Sequence, residues 1–309
     1  MKKIPQFSSL HNHTIFCDGK DDIETMCRAA YEKKLCAVGF SAHAPITKKT
    51  GIESDWHMKD EVFGKYTEHV LAAKKRWRGK LEVLLGFEID YIKGLRSALD
   101  RDITEVNPDY LIGSVHYLIP ANGAKPFTVD GPQEEFSQGL NEGFNGDARA
   151  LMNSYYDAQL EMIALGGFEI LGHADLVKKN CIGKNLWPRE EEVYRQKEIA
   201  HAVGNAAGNA AGKAAGNAGV IAEVNTGGIN RKKINEVYPS ETFLRVFREN
   251  NVPVIITADA HSAEEIKGNY NIAVKTILSA GFLDHVIIFR KSTKKIKYVK
   301  EKLLNFLAD

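Results

Sequence analysis

The chain has 309 residues, 44% of them hydrophobic and 26% charged, with a formal net charge of +1 at pH 7. This is an ordinary globular composition, and so balanced a charge supplies no global field for nucleic acid or an anionic membrane, so any anion binding must be local. No run of about 18 apolar residues exists to span a membrane, Lys2 and Lys3 lack the apolar stretch of a secretory signal behind them, and Cys17, Cys27, Cys36 and Cys181 show no CxxC spacing, so free thiols in a cytoplasmic protein are expected.

Short apolar, β-branched runs recur along the chain. The first, 7–13, precedes a helical pattern over 23–33, where Ile23, Met26, Cys27, Ala30 and Tyr31 share one face and Asp22 is the expected N-cap. The run 36–43 leads to an amphipathic helix over 59–76, and runs 81–90 and 110–117 follow. Residues 120–146 are rich in Gly, Pro and Asn and read as a long loop, spanning 118–150 in all; loops of that length are usually functional or mobile. A helix over 151–165 and a run at 168–176 come next. The Ala/Gly/Asn-rich segment 202–219 spaces Gly204, Gly208, Gly212 and Gly216 four apart. It reads as a degenerate repeat filling a crossover helix, weakened by ~1 kcal/mol for each glycine against alanine. The remaining pattern is a run at 220–226, a helix over 240–250, a run at 253–261, a helix over 263–280 and a run at 286–290. The basic stretch 291–302 reads as a solvated helix face. Alternating helices and nearly continuous apolar strands predict a parallel sheet covered on both faces, in an α/β barrel or doubly wound sheet forming a single domain over 1–309.

The histidines sharpen this picture. Six of the ten, His11, His13, His43, His116, His173 and His261, lie at or just past the C-terminal end of an apolar run. Glu88 ends the third run, Asp259 lies two residues before His261, and Asp18 sits in the turn after the first run. Strand residues i and i+2 point to one face, so His11 and His13 form a pincer, as do Asp259 and His261. Strand C-termini of a parallel barrel converge on one rim. Imidazoles and carboxylates gathered there suit Zn, Mn or Fe, and the lack of cysteine ligands argues against a closed structural zinc site. Each residue alone has an ordinary reading: exposed strand histidines for HxH, a buried ion-pair partner for Glu88, a core residue for His116, a helix cap for Asp259 and His261. The coincidence of all nine at strand ends carries the metal reading. His57, His69, His201 and His285 fall elsewhere and read as non-ligands, while Asp90 reads as a support for the ligands. Nine donors suffice for three ions with one shared carboxylate. Paired ions ~3.5–4 Å apart clamp an in-line displacement at phosphorus, a reaction that is extremely slow in water.

The strings SLHNHTIFCDGKDD, GFSAHAP, GFEIDY, GSVHY, LGHADL, EVNTGG and ITADAH resemble, in order, the motifs of the polymerase-and-histidinol-phosphatase (PHP) superfamily, nearest its histidinol-phosphate phosphatase branch. The resemblance covers nearly the whole chain. It implies a distorted (β/α)7 TIM-like barrel with the active site at the strand C-terminal rim and three divalent metal ions. His11, His13, Glu88 and Asp259 would hold the first ion, with Glu88 bridging to a second held by His116 and His173. Asp18, His43 and His261 would hold the third; several relatives place histidine in the Asp18 loop. Attack by a metal-bridging hydroxide is implied, with the alcohol leaving near the third ion, protonated by Asp259 or a bound water; Asp259 and His261 are the catalytic candidates. Arg231, after NTGGIN, and Lys178, after GHADL, are the candidates for phosphate oxygens, a role guanidinium suits. Relatives often carry arginine near the second position, so Lys178 is a departure. The implied reaction is hydrolysis of L-histidinol phosphate in histidine biosynthesis. The partner is then a small-molecule phosphate ester, with no nucleic acid and no membrane. A broad or nucleotide-directed phosphoesterase keeps the chemistry, but the chain lacks the basic groove and interleaved aromatics of a long nucleic-acid site. A catalytically silent metal-binding protein would show a missing ligand, and none is missing. Zinc deaminases and amidohydrolases also use HxH on barrels but lack the third-metal trio.

Overall fold

A computed structural model describes residues 6–181, 184–208, 219–292 and 295–303. In chain order the elements are β1 (Ser8–Ser9), α1 (Ile23–Glu32), β2 (Ala37–Phe40), α2 (Asp60–Arg76), β3 (Glu82–Asp90), α3 (Arg101–Val106) and β4 (Tyr110–Ser114). Then come β5 (Tyr117–Leu118), β6 (Phe127–Thr128), α4 (Gln133–Phe144), α5 (Ala148–Leu165), β7 (Ile170–Leu171), α6 (Arg189–Gly208) and β8 (Ile221–Asn225). The chain finishes through α7 (Gly227–Asn230), α8 (Glu241–Glu249), β9 (Val254–Thr257), α9 (Tyr270–Ser279), β10 (Asp284–Ser292) and β11 (Lys295–Lys302). Helix starts follow the expected chemistry: Asp22 accepts from the Thr25 N–H at 2.7 Å, and Ser240 caps α8 through Phe243.

One sheet runs β1-β2-β3-β4-β7-β8-β9-β10-β11, with β5 and β6 forming a separate ribbon. Every neighbouring pair from β1 to β10 is parallel, and β11 returns antiparallel. The seven expected strands up to residue 261 are thus β1, β2, β3, β4, β7, β8 and β9. The sheet curls until its first and seventh barrel strands meet at the rim. There the His13 N–H donates to the Ala260 carbonyl at 2.8 Å and the Ala260 N–H to the His11 carbonyl at 3.1 Å. This is the distorted TIM-like barrel anticipated.

Strand alternation divides the apolar residues into two cores. Leu10, Leu84, Ile112, Ile170, Ile221 and Ile255 belong to a cluster drawn from strands, inside the curl. Their alternates, among them Val83, Leu85, Phe87, Leu111, Ala222 and Ile256, pack outward against the helices. The inward face then changes character along each strand. Leu84 leads by steps of two to Glu88, Ile112 to Ser114 and His116, Ile221 to Glu223, and Ile255 to Thr257 and Asp259, all buried. An apolar floor therefore carries a polar rim, and the period of two sets which residues meet there.

Three expectations are corrected. Residues 118–150 are not a loop: they hold the β5–β6 ribbon, α4 and the start of α5. Phe127 and Phe136 bury there and anchor the segment. The described residues of the basic stretch, 291–292 and 295–302, are strand, not helix, because β11 pairs along the free edge of β10 from Ser292–Lys295 to Asp284–Lys302. The helix expected over 263–280 is a short 3-10 turn, Ala263–Glu265, followed by α9. In the glycine-spaced segment, α6 extends through Gly208, while 209–218 lie outside the described residues. Among the described residues, no helix is long and apolar enough to cross a membrane.

Candidate metal centre

Glu88 is the hub of the rim. One carboxylate oxygen, Oε2, lies 3.0 Å from His11 Nε2, 3.0 Å from His43 Nδ1 and 3.6 Å from His13 Nε2. The other, Oε1, lies 2.9 Å from His173 Nε2 and 3.6 Å from His116 Nε2, and accepts the Ser114 hydroxyl at 2.6 Å. A second hub is Asp259, with Oδ1 3.1 Å from His13 Nε2 and 3.7 Å from His11 Nε2, and Oδ2 3.0 Å from Arg231 Nη2. It holds φ at +48°, a left-handed conformation uncommon outside glycine and typical of constrained functional positions. Asp18 reaches in from the loop after β1, with Oδ2 3.0 Å from His261 Nε2 and Oδ1 3.5 Å from His13 Nδ1. All nine expected ligand residues thus meet at one rim. Their donor atoms fall into groups of three or four lying within 4.8 Å of one another.

The electrostatics describe a place built for cations. Burial would raise the Glu88 carboxyl, yet His11, His43 and His116 outweigh it and hold the group well below the usual carboxylate range. Asp259 is held well below its range by Arg231 and His11 despite the same burial. Burial, with His261 and His43 alongside, pushes His13 down to about 3, so its ring is neutral and keeps a lone pair. His116 goes the other way, up to about 10, because Asp90 and Glu88 outweigh burial; carboxylates that draw a proton there would equally draw a metal ion. The decisive feature is geometric. His13 Nε2 and His43 Nδ1 are buried and make no hydrogen bond, though carboxylate oxygens lie 3.1 and 3.0 Å away. Ring nitrogens left unbonded beside carboxylates at that range, with Glu88, Asp90, Glu223 and Asp259 all buried together, are costly unless a proton or a metal ion sits among them. The donor set fits divalent ions.

Two supports stand behind the rim. Asp90 Oδ1 accepts from His116 Nδ1 at 2.8 Å, which turns Nε2 toward Glu88. Glu223 does the same for His11, at 2.6 Å from Nδ1, and also accepts the His173 N–H and the Thr257 hydroxyl. The Asp90 role was expected; Glu223 was not singled out, although a glutamate in the apolar string IAEVN, two residues after Ile221, was its signal. His57, expected as a bystander, is buried with Nε2 2.7 Å from Asp90 Oδ2 and shares a donor group with His43 and Asp90.

Above the rim opens a cavity of about 870 Å³ whose walls include Trp56, Tyr117, Asp130, Lys179, Arg231 and Lys233. Arg231 reaches it from the end of α7, with Nη1 donating to the Asp259 carbonyl at 2.8 Å and lying 2.9 Å from His261 Nδ1. Lys178 does not reach it. Its buried ammonium is held by Asp175 at 2.9 Å, Glu236 at 3.1 Å and the Val237 carbonyl at 3.1 Å, and lies over the Tyr238 ring. In the short 3-10 turn Leu176–Asn180 consecutive side chains diverge, so Lys179, not Lys178, faces the cavity, paired with Asp130.

A parallel barrel with imidazoles and carboxylates on its C-terminal rim defines a metal-dependent enzyme of the barrel class. The PHP domain model matches residues 9–226, and the chain belongs to the PHP domain family, in its histidinol-phosphatase branch. It is 32% identical to a protein of Deinococcus radiodurans named probable histidinol-phosphatase, over 88% of this chain and 92% of that one. Among solved structures, a candidate histidinol phosphatase, hisK, of Listeria monocytogenes superposes with a TM-score of 0.71 at 22% identity, covering 85% of this chain and 98% of that one. The histidinol phosphate phosphatase of Lactococcus lactis, solved with zinc, L-histidinol and phosphate, gives 0.61 at 18% identity, covering 94% and 99%.

Proposed function

We propose that this chain is a phosphoric monoester hydrolase that converts L-histidinol phosphate and water to L-histidinol and phosphate, using three divalent ions. The observation that carries the reading is the complete set of nine donors on one rim, with the Glu88 oxygens divided between two groups of imidazoles. The likeness to histidinol-phosphatases over most of each chain supports the substrate. His11, His13 and Asp259 would hold one ion with Glu88, His116 and His173 a second with Glu88, and Asp18, His43 and His261 a third. Zinc is the first candidate, since the Lactococcus lactis relative contains it; manganese and iron suit the same donors. Bound ions of this class acidify water to a pKa of about 7 and neutralise charge developing on phosphate oxygens.

The chain's own residues complete the site. Arg231 lines the cavity and supplies a forked donor for a phosphate oxygen. The same guanidinium holds Asp259 ionised, the form in which it would ligate an ion, and His261 stands beside both. Glu223 and Asp90 fix the tautomers of His11 and His116. The cavity volume suits a small ester and not a polymer.

Purified protein supplied with zinc or manganese should release phosphate from histidinol phosphate far faster than from p-nitrophenyl phosphate or a nucleoside monophosphate. Equal, slow turnover of every ester would overturn the substrate. Elemental analysis should return three metal equivalents for each chain.

A further inference from the structure

The segment between β2 and α2 supplies a residue that the metal site and the ester chemistry leave without a task. His57 is 4% exposed, Asp90 3% and His116 5%. They form a continuous polar chain: Ser54 Oγ is 2.7 Å from His57 Nδ1, His57 Nε2 is 2.7 Å from Asp90 Oδ2, and Asp90 Oδ1 is 2.8 Å from His116 Nδ1. One arrangement of protons satisfies every link. Asp90, ionised, accepts from both rings, which makes Nε2 the protonated nitrogen of His57 and leaves Nδ1 to accept the Ser54 hydroxyl. Ser54 Oγ in turn accepts the backbone N–H groups of Trp56 and His57, each at 3.3 Å.

That turn fixes Trp56. Its indole lies 3.7 Å from the His57 ring, and meets His43 at 4.5 Å and His116 at 5.4 Å, both edge-on. Ser54 and Trp56 both line the cavity. The residues that wall the cavity and the imidazole that faces Glu88 are therefore anchored to the same buried carboxylate.

Resting on the metal reading above, we propose that His57 is a positioning residue: through Asp90 it sets the orientation of His116 toward its ion, and through Ser54 it seats Trp56 against the substrate cavity. Outer partners of a metal-bound histidine are worth about 10–100-fold in metal affinity or activity. His57 adds to that role a mechanical tie to the cavity wall.

The test uses the full chain and zinc alone, with affinity read by competition against a chromophoric chelator, beside kcat and KM for histidinol phosphate. H57L should weaken the weakest-bound zinc about 10–100-fold and raise KM. H57Q keeps an N–H for Asp90 and should restore most of the zinc affinity. S54A should leave zinc affinity near wild type and raise KM, because it frees the turn without touching Asp90. A purely structural role would lower the unfolding midpoint of H57L and leave the zinc affinity of the folded fraction unchanged; that result overturns the proposal. H57Q no tighter than H57L also overturns it. A wild-type chain that takes up no zinc overturns the underlying metal reading and this proposal with it, whereas wild-type binding matched by H57L removes His57 alone.

Discussion

The two oxygens of Glu88 face different imidazoles, His11, His13 and His43 on one side and His116 and His173 on the other. A glutamine there keeps the shape but turns one oxygen into a donor facing rings whose lone pairs point inward. E88Q should therefore lose at least one metal equivalent by elemental analysis and reduce kcat by more than about 100-fold, since a central ligand should exceed the outer-partner range. E223Q removes the charge that orients His11 and sets an amide donor against groups that donate to Glu223, and should fall within about 10–100-fold, with all metal equivalents retained at saturating zinc. E88Q keeping full metal content and turnover would refute the hub role. Both glutamates lie on inward strand faces, yet only Glu88 was legible in the sequence, because it ends its apolar run beside other donors. Glu223 lies in mid-strand, and the partner that explains it, His11, is 212 positions away. His57 was hidden for a similar reason: nothing in a loop's spacing reveals that its ring reaches a strand carboxylate. Lys178 was misread because adjacency to a motif says nothing about which way a tight turn sends each side chain.

At the scale of elements, the inner core depends on glycines that make room for one ring. The Tyr110 side chain crosses the neighbouring strands β2 and β3, where a Cβ on Gly86 would lie 2.5 Å from Tyr110 Cζ and one on Gly39 2.3 Å from the hydroxyl. The hydroxyl donates to the Leu10 carbonyl, tying β4 to the end of β1. A methyl at Gly86 forces a buried ring aside, so G86A should destabilise by roughly 1–3 kcal/mol, the usual cost of overpacking, read as a lower urea midpoint at unchanged slope. In a Tyr110→Leu background the same substitution should cost less, because the clashing ring is gone; additivity of the two changes would refute the contact. These glycines interrupt strands in the sequence, a recognised sign of close approach, though only the register names Tyr110 as the residue that approaches. The strands themselves were legible as continuous apolar runs. The β5–β6 ribbon and β11 were not. The ribbon strands are two residues each, too short to show a period, and the charge of β11 masks an edge strand whose partner is β10.

At the scale of the whole molecule, the donors span positions 11 to 261 and come from most of the barrel strands. His11 and His13 flank Asn12, and Asp259 and His261 flank Ala260; Asn12 and Ala260 are the pair that closes the curl at the rim. Ions held by these four residues would therefore fasten the two ends of the sheet together. They would also neutralise Glu88, Asp90, Glu223 and Asp259, buried within one cluster. Binding to the folded chain alone stabilises it by about 4 kcal/mol at a thousandfold excess over Kd, which at about 2–4 °C for each kcal/mol predicts a rise in Tm of roughly 10 °C. Stripping with a chelator should reverse that rise, and zinc should restore it as its concentration passes Kd. The loss should not be spread evenly. The N–H groups of His13 and Ala260, whose hydrogen bonds close the rim, should lose hydrogen-exchange protection in the stripped protein, while the β3–β4 ladder from Gly86–Tyr110 to Asp90–Ser114 keeps most of its own. An unchanged Tm with unchanged exchange at those two amides would mean that the cluster is satisfied without ions, and that the closure rests on the backbone ladder alone.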